Sequence, residues 1–138
     1  HKSENKEPDC QVFAFHDSVN FTQYNYTVEC KRLHLSEDGT PHGSCRYYVE
    51  DGILRFIKRE YSYGIDVESG LIIGYFQSGE FANLHSHVNR FCNQNSTSEL
   101  ILSGEWKNKG VSELGQDITR TEMGPENYKL HHFWLDLR

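Results

Sequence analysis

Several signatures of common enzymes and cofactor-binding proteins are missing from this sequence. It has no Gly-rich phosphate-binding loop and no G-x-S-x-G nucleophile motif. None of its cysteines lies in a C-x-x-C pair, which removes the usual signature of a zinc knuckle or a thioredoxin-type redox site. We therefore predict a protein that is not an enzyme and that carries no cofactor.

Clustered positive charge and long apolar runs are scarce as well. The formal net charge is -6, and the densest basic cluster, Arg55, Lys58 and Arg59, lies inside an alternating run. Because binding to nucleic acid requires clustered cations that neutralise phosphates, we exclude a nucleic-acid partner. The longest apolar run, residues 70–76, is much shorter than the ~20 residues of a membrane-spanning helix, so we expect no membrane span in this chain.

The 138 residues are enough for one domain with its own hydrophobic core. Residues 1–9 are polar, and we predict a flexible N-terminal segment there, followed by a single β domain over residues 10–138. Because the chain begins with His1 rather than Met, we expect that a signal peptide has been removed.

Short apolar or alternating runs separated by turn signals recur along the chain and favour β-strands, as does the 13% content of aromatic residues. We predict about eight short strands, which are typical of an all-β fold. The predicted architecture is an antiparallel β-sandwich, and a closed, lipocalin-like β-barrel is the alternative. The runs lie at 11–16, 21–33, 45–49, 53–63, 71–76, 98–102 and 129–137, and the run at 81–91 is ambiguous.

The alternation in residues 21–33 also predicts which side chains face the core. Tyr24, Tyr26, Val28 and Cys30 are expected to point inward. The intervening residues, among them Asn25, are expected to point to solvent.

The cysteines and the glycosylation triplets indicate an extracellular protein. Four widely spaced cysteines, an even number, predict two disulfides. The three possible pairings stay open, with Cys10–Cys30 plus Cys45–Cys92 preferred over Cys30–Cys45 plus Cys10–Cys92. Three N-x-[ST] triplets are present where this composition gives about one by chance. The predicted glycosylation sites are Asn20, Asn25 and Asn95.

Aromatic and basic residues crowd the middle of the chain. If this region forms strands, adjacent tyrosines point to opposite faces of a sheet, and one face exposes Tyr beside Arg. Both residue types are enriched in protein-binding hot spots. The predicted protein-binding residues are Arg46, Tyr47, Tyr48, Arg55, Arg59, Tyr61 and Tyr63.

Histidines provide a weaker candidate site. On a strand, His85 and His87 would project to the same face, as in many zinc or copper sites. His85, Asn89, Arg90 and Trp106 also resemble the sugar-binding residues of galectins, although the chain after Trp106 is too short for the galectin fold.

Three functions follow from these patterns. The first is a secreted or cell-surface glycoprotein that binds another extracellular protein, as a receptor ectodomain, a secreted ligand or a modulator. The alternative is an extracellular carrier of a small hydrophobic ligand in a β-barrel cavity. The third is a metal site at His85 and His87, or a lectin.

Overall fold

The computed structural model describes residues 10–15, 23–61 and 63–138, and for residues 10–15 and 23–25 it describes the backbone alone. The described strands form one mixed sheet in the order β1-β2-β3-β6-β5-β4. The strands are β1 (Cys10–Phe15), β2 (Gln23–Leu33), β3 (Ser69–Phe76), β4 (Ile101–Ser103), β5 (Val111–Thr119) and β6 (Asn127–Asp136). Two α-helices, α1 (His42–Glu50) and α2 (Phe81–Gln94), and a short 3-10 helix (Ile53–Phe56) lie in the connections.

The centre of the sheet is parallel and its two sides are antiparallel. Strand β3 pairs in parallel with β2 and with β6, whereas β1–β2, β5–β6 and β4–β5 are antiparallel. Parallel neighbours require a crossover connection. The crossover from β2 to β3 contains α1, and the longer crossover from β3 to β6 contains α2, β4 and β5.

The two faces of the sheet differ in burial. Along β6, Tyr128, Leu130, His132, Trp134 and Asp136 are buried, whereas the residues between them are exposed or half-buried. Strands β3 and β5 alternate in the same way. Tyr48 of α1 and Phe81 of α2 contact the buried set through the rings of Trp134 and Phe76. We call the buried side the helix-covered face and the other side the open face.

Trp134 is the largest fully buried side chain of the core. Its ring lies 6.4 Å from the Phe76 ring and 5.6 Å from the Trp106 ring, in stacked orientations. Gly74, on the neighbouring strand, makes room for it, because a Cβ at this position would lie 2.9 Å from both Trp134 Cδ1 and Leu33 Cδ1. The strand therefore needs a residue without a side chain at its centre.

The structure is mostly β, but the described strands form a single open sheet, so neither the predicted sandwich nor the closed barrel is found in this part of the chain. Six strands are present in the described residues rather than eight. The predicted strands at 45–49 and 53–63 were wrong, because α1 and the 3-10 helix occupy most of that region. Cys45, Tyr48 and Val49 are buried on α1 at the i, i+3, i+4 spacing of a helix.

In residues 21–33 the side chains that the structure describes point to the opposite faces from those predicted. Thr27, Glu29 and Leu33 lie buried on the helix-covered face, and Tyr26 and Val28 are half-buried on the open face. The reason is a buried partner for the carboxylate: Arg55 Nη1 lies 3.1 Å from Glu29 Oε2. A charge becomes tolerable in a core when an opposite charge and hydrogen bonds accompany it.

The two predicted disulfides are not found among the described side chains. Cys45 and Cys92 are buried thiols, and each has its own contact: Cys45 Sγ donates to the Leu84 carbonyl at 3.6 Å, and Cys92 Sγ accepts from Gln116 Nε2 at 3.8 Å. Burial raises the pKa of both thiols to about 12, which keeps them protonated and unreactive. The Cys10 side chain lies outside the described residues.

Candidate functional site

The residues predicted to bind a protein do not share one surface. Tyr48, Arg55 and Tyr63 are buried, Arg46, Tyr47 and Arg59 are exposed, and Tyr61 is half-buried. The prediction assumed strands, on which alternate residues share a face. The helix and loops of residues 42–68 distribute the same residues between core and surface.

The buried Tyr48 belongs to a chain of hydrogen bonds through the core. Gln116 Nε2 donates to the Ser98 carbonyl at 2.7 Å, so Gln116 Oε1 is the atom that accepts from His132 Nε2 at 2.9 Å. His132 Nδ1 therefore accepts a hydrogen bond from the Tyr48 hydroxyl at 2.7 Å. Trp134 Nε1 donates to the Tyr48 oxygen at 3.0 Å. The hydrogen bonds all run in one direction, from Trp134 through Tyr48, His132 and Gln116 to the Ser98 carbonyl.

This series of hydrogen bonds holds His132 in the neutral form. Burial lowers the pKa of the imidazole to about 3, well below its ordinary value of 6.5. Each of its two ring nitrogens has a partner, so the group is a satisfied part of the core. The sequence carries no signal for this network, since a buried His and Gln look like any polar residue of an alternating strand.

Arg120 is a second buried group that sequence reasoning missed. Its guanidinium donates to the carbonyls of Phe56, Tyr63, Gly64 and Pro125 at 3.0–3.4 Å. The guanidinium carbon also lies 3.9 Å from the centre of the Tyr128 ring. Arg120 therefore joins the loops around residues 56–64 and 120–125 to the end of the sheet.

Three residues of the predicted binding set line a depression beside α1. Arg46, Tyr47 and Tyr61 lie there with Lys58 and Asn95, around a volume of about 480 Å³. Tyr47 is 53% exposed, and the Arg46 guanidinium lies 5.1 Å from its ring centre. Glu50, Asp51, Leu54 and Glu60 complete the wall. We call this surface the α1 depression.

Arg59 is not part of the α1 depression. Its backbone N–H donates to Glu122 Oε1 at 3.1 Å, and its guanidinium donates to the Glu122 carbonyl at 3.3 Å. Arg59 therefore ties two loops together at the surface.

The open face carries a second accessible surface, which is rich in apolar side chains. Its central rows follow from the strand register, with Cys30, Ile73 and Phe133 side by side, and with Tyr75, Leu135 and Val111 in the next row. With strands ~4.8 Å apart and alternate residues ~6.6 Å apart, the apolar area measures about 10 Å by 13 Å from β2 to β6. Its members are Val28, Cys30, Leu71, Ile73, Tyr75, Phe133 and Leu135, which are half-buried, and Val111 on β5 and Ile101 on β4 are exposed beyond it.

Charged residues border this apolar area on one side. Glu113 and Asp117 stand on the open face of β5, and Glu99 lies just before β4. Lys129 Nζ pairs with Asp117 Oδ1 at 3.2 Å, which leaves the border at β5 and β4 acidic overall. On the opposite side, Arg32 is exposed on β2.

His85 and His87 do not come together, because they lie on α2 rather than on a strand. Residues two positions apart on a helix point about 200° apart. His85 Nε2 donates to the Leu100 carbonyl at 2.7 Å, and His87 Nδ1 donates to the Asn83 carbonyl at 2.9 Å. The strand geometry behind the predicted metal site was wrong. Within the described residues no three His, Cys, Asp or Glu side chains converge as a metal site.

The galectin-like residues are engaged inside the fold as well. Asn89 Oδ1 accepts from the Leu100 backbone N–H at 2.8 Å, and Arg90 Nη2 donates to His42 Nδ1 at 3.3 Å. Trp106 stacks on Phe81 with 5.1 Å between ring centres. These side chains therefore hold α2 against its neighbours.

The remaining predicted features divide between described and undescribed residues. Asn95 is half-buried at the C-terminal end of α2, and its Nδ2 donates to the Phe91 carbonyl at 2.8 Å. Asn20, the segment 1–9 and the side chain of Asn25 lie outside the described part of the chain. The described strands do not close into the barrel that was expected to hold the ligand of a small-molecule carrier. In the described chain, no helix is both long and apolar enough to span a membrane.

No family model, curated protein or solved structure matches this chain. A function must therefore be argued from the open face, the α1 depression and the glycosylation triplets themselves.

Proposed function

We propose that this chain is a secreted or cell-surface glycoprotein that is not an enzyme and that binds another extracellular protein through the open face. One observation carries the proposal. Strand β3 is parallel to both of its neighbours and places apolar residues on both faces, with Ile72 fully buried and Ile73 half-exposed. Parallel strands of this composition are normally covered on both sides.

The size and composition of the open face suit a protein partner. An apolar centre of about 10 Å by 13 Å can form the core of an interface, around which a polar border completes the contact. Aromatic residues such as Phe133 and Tyr75 lie in that centre. Contiguous apolar patches that are rimmed by polar residues often mark interaction sites.

Charge indicates what the partner presents. The border at β5 and β4 contains Glu99, Glu113 and Asp117, and the whole chain carries a net charge of -6. A partner with an apolar patch and a basic border complements this surface and is attracted to it at long range. A second copy of the chain would bring like net charges together, which disfavours a homodimer on this face.

The extracellular location rests on the three glycosylation triplets. The buried thiols Cys45 and Cys92 are compatible with it, since protonated thiols inside a core are protected from oxidation. Because both thiols are protonated, neither is an activated nucleophile.

The experiment compares two Ile→Asp variants of a glycosylated, secreted product. Ile73→Asp places a charge in the centre of the open face, and Ile65→Asp, at an exposed loop position, is the matched control. Each protein is used to capture partners from the source fluid, and the captured protein is identified, purified and titrated. We expect the wild type and Ile65→Asp to bind one partner equally, and Ile73→Asp to bind about 30-fold more weakly or worse.

Two results would overturn the proposal. A folded Ile73→Asp variant with unchanged affinity would show that the open face is not the binding surface. Light scattering that detects a dimer of the wild type, dissociated by Ile73→Asp, would assign the face to a second copy of the chain.

A further inference from the structure

The second surface, the α1 depression, contains one of the glycosylation triplets in its own wall. Asn95 ends α2, and its side chain lines the same volume as Tyr47 and Tyr61. The Asn95 amide is held in place, because Nδ2 donates to the Phe91 carbonyl at 2.8 Å. An amide nitrogen has two hydrogens, so attachment of a sugar replaces one and leaves the other for Phe91.

The lining of the depression combines an aromatic ring with polar groups. Tyr47 is 53% exposed, with the Arg46 guanidinium over its ring, and its accessible part offers an apolar surface to the C–H groups of a pyranose ring. Lys58, Glu50 and Asp51 stand around it as hydrogen-bonding groups for hydroxyl and N-acetyl substituents. The volume of about 480 Å³ lies in the range of sites for drug-sized ligands, the size class of a disaccharide.

The same lining is poorly suited to the centre of a protein interface. Lys, Glu and Asp are depleted at interface cores, because charged groups lose their hydration there. In the α1 depression Lys58, Glu50 and Asp51 line the same volume as the exposed tyrosine. A hydrated, hydroxyl-rich occupant leaves these charges solvated, whereas a protein surface would bury them.

We infer that the α1 depression is the binding site of the chain's own Asn95-linked glycan, whose first sugars pack on Tyr47. This inference rests on the proposed secretory location. It assigns to carbohydrate the residues Arg46, Tyr47 and Tyr61, and it leaves the open face as the surface for the protein partner. The covalent link at Asn95 keeps the sugar beside the depression, so a weak contact is sufficient to hold it there.

The test measures how accessible each glycan is in the folded protein. Wild type, Tyr47→Ala and Tyr47→Phe are made in a secretory host, and occupancy at each triplet is determined by mass spectrometry of glycopeptides. The native proteins are then treated with a glycan-removing amidase, and release is followed at Asn95 and at the other occupied triplets. Because Tyr47 is exposed, both substitutions are expected to leave the fold intact.

We expect release at Asn95 to be about three- to tenfold faster in Tyr47→Ala than in wild type, the ratio that corresponds to loss of one stacking contact. Tyr47→Phe, which retains the ring, should behave like wild type, and release at the other triplets should not change. Ring-current shifts of the first sugar in isotope-labelled glycan should disappear in Tyr47→Ala alone.

The possible failures are distinguishable. Equal release from Asn95 in all three proteins, without ring-current shifts, would overturn the inference while leaving secretion intact. Occupied Asn20 or Asn25 with an unmodified Asn95 would do the same. An absence of sugar at all three triplets would overturn the secretory location itself.

Discussion

Ile72 and Ile73 are neighbours in β3, yet they face different environments. Ile72 is fully buried under the helices, and Ile73 is half-exposed on the open face. The same contrast extends across the sheet. The helix-covered face mixes apolar side chains with polar groups such as Glu29 and His132, each of which has a partner. The centre of the open face consists almost entirely of aliphatic and aromatic side chains.

This difference indicates how stability and binding are divided in the molecule. Buried polar groups specify one arrangement of the core, because any displacement leaves a donor or acceptor unsatisfied. An accessible apolar face contributes less to folding, since its side chains stay partly in water. A partner can bury the apolar area of this face that is still exposed to water. The helix-covered face therefore determines the fold, and the open face is available for recognition.

The strongest test of the difference between the two faces is to place the same charge on each face. Ile72→Asp buries a carboxylate among apolar side chains without a partner, and we expect it to abolish folding, since typical domains have only about 5–15 kcal/mol of stability to lose. Ile73→Asp keeps its carboxylate at the accessible face, and we expect a folded protein with a loss of about 1–2 kcal/mol. Circular dichroism and urea unfolding measure both.

Ile72→Ala and Ile73→Ala keep the test quantitative if Ile72→Asp is not obtained. The expected losses are about 2–5 kcal/mol at the buried position and about 1 kcal/mol at the accessible one. Equal losses for the two alanine variants would mean that the open face is covered in solution, and the comparison of the faces would fail.

Ion pairs provide the next contrast. Glu29 and Arg55 lie 3.1 Å apart in the core, and Asp117 and Lys129 lie 3.2 Å apart on the open face, where Asp117 is 89% exposed. We expect Glu29→Ala to cost about 3–5 kcal/mol, because it leaves the Arg55 charge buried without its carboxylate. Asp117→Ala should cost at most about 1 kcal/mol.

Urea unfolding at low and at high salt checks this contrast. The small contribution of the exposed pair should decrease further with salt, whereas that of the buried pair should hardly change. A loss below 1 kcal/mol for Glu29→Ala would show that water reaches Arg55 in the folded protein.

The sequence predicts this molecule best where periodicity and environment agree. The runs at 71–76 and 129–137 were expected as strands, and they correspond to β3 and β6 at the centre of the sheet. The segment 45–49 was misread, because Tyr47, Tyr48 and Val49 favour strands locally while burial of Cys45, Tyr48 and Val49 follows a helix. Packing against α2 and the sheet therefore outweighs the local strand propensity of this segment.

The proposed binding surface was harder to predict than the strands. Reading residues 21–33 by polarity placed Glu29 in solvent, since its buried partner Arg55 lies 26 positions away and the pairing exists only in the fold. Once that face is reversed, Val28 and Cys30 move to the open face beside Leu71 and Ile73. The predicted aromatic and basic site shared this dependence on strand geometry, and only Arg46, Tyr47 and Tyr61 gather in the α1 depression.

The effect of pH gives the last and smallest contrast. The pKa of His132 is about 3 in the folded protein and about 6.5 in the unfolded chain, with burial as the main cause. Between these values the unfolded state binds one more proton, so this histidine destabilises the fold as pH decreases from about 6.5 toward 3, by about 1.4 kcal/mol per pH unit. Above pH 6.5 its contribution is constant.

His132→Asn removes this contribution, and comparison with the wild type cancels the contributions of the ionisable groups that the two proteins share. We expect the difference in unfolding free energy between the two proteins to change by about 1.4 kcal/mol per unit between pH 4 and 6. The neighbouring His131, half-buried on the open face, provides the control, and His131→Asn should retain most of the wild-type slope. A wild-type slope that survives in His132→Asn would mean that the imidazole is protonated inside the fold, and the hydrogen-bond chain through Tyr48 and Gln116 would then need a different proton arrangement.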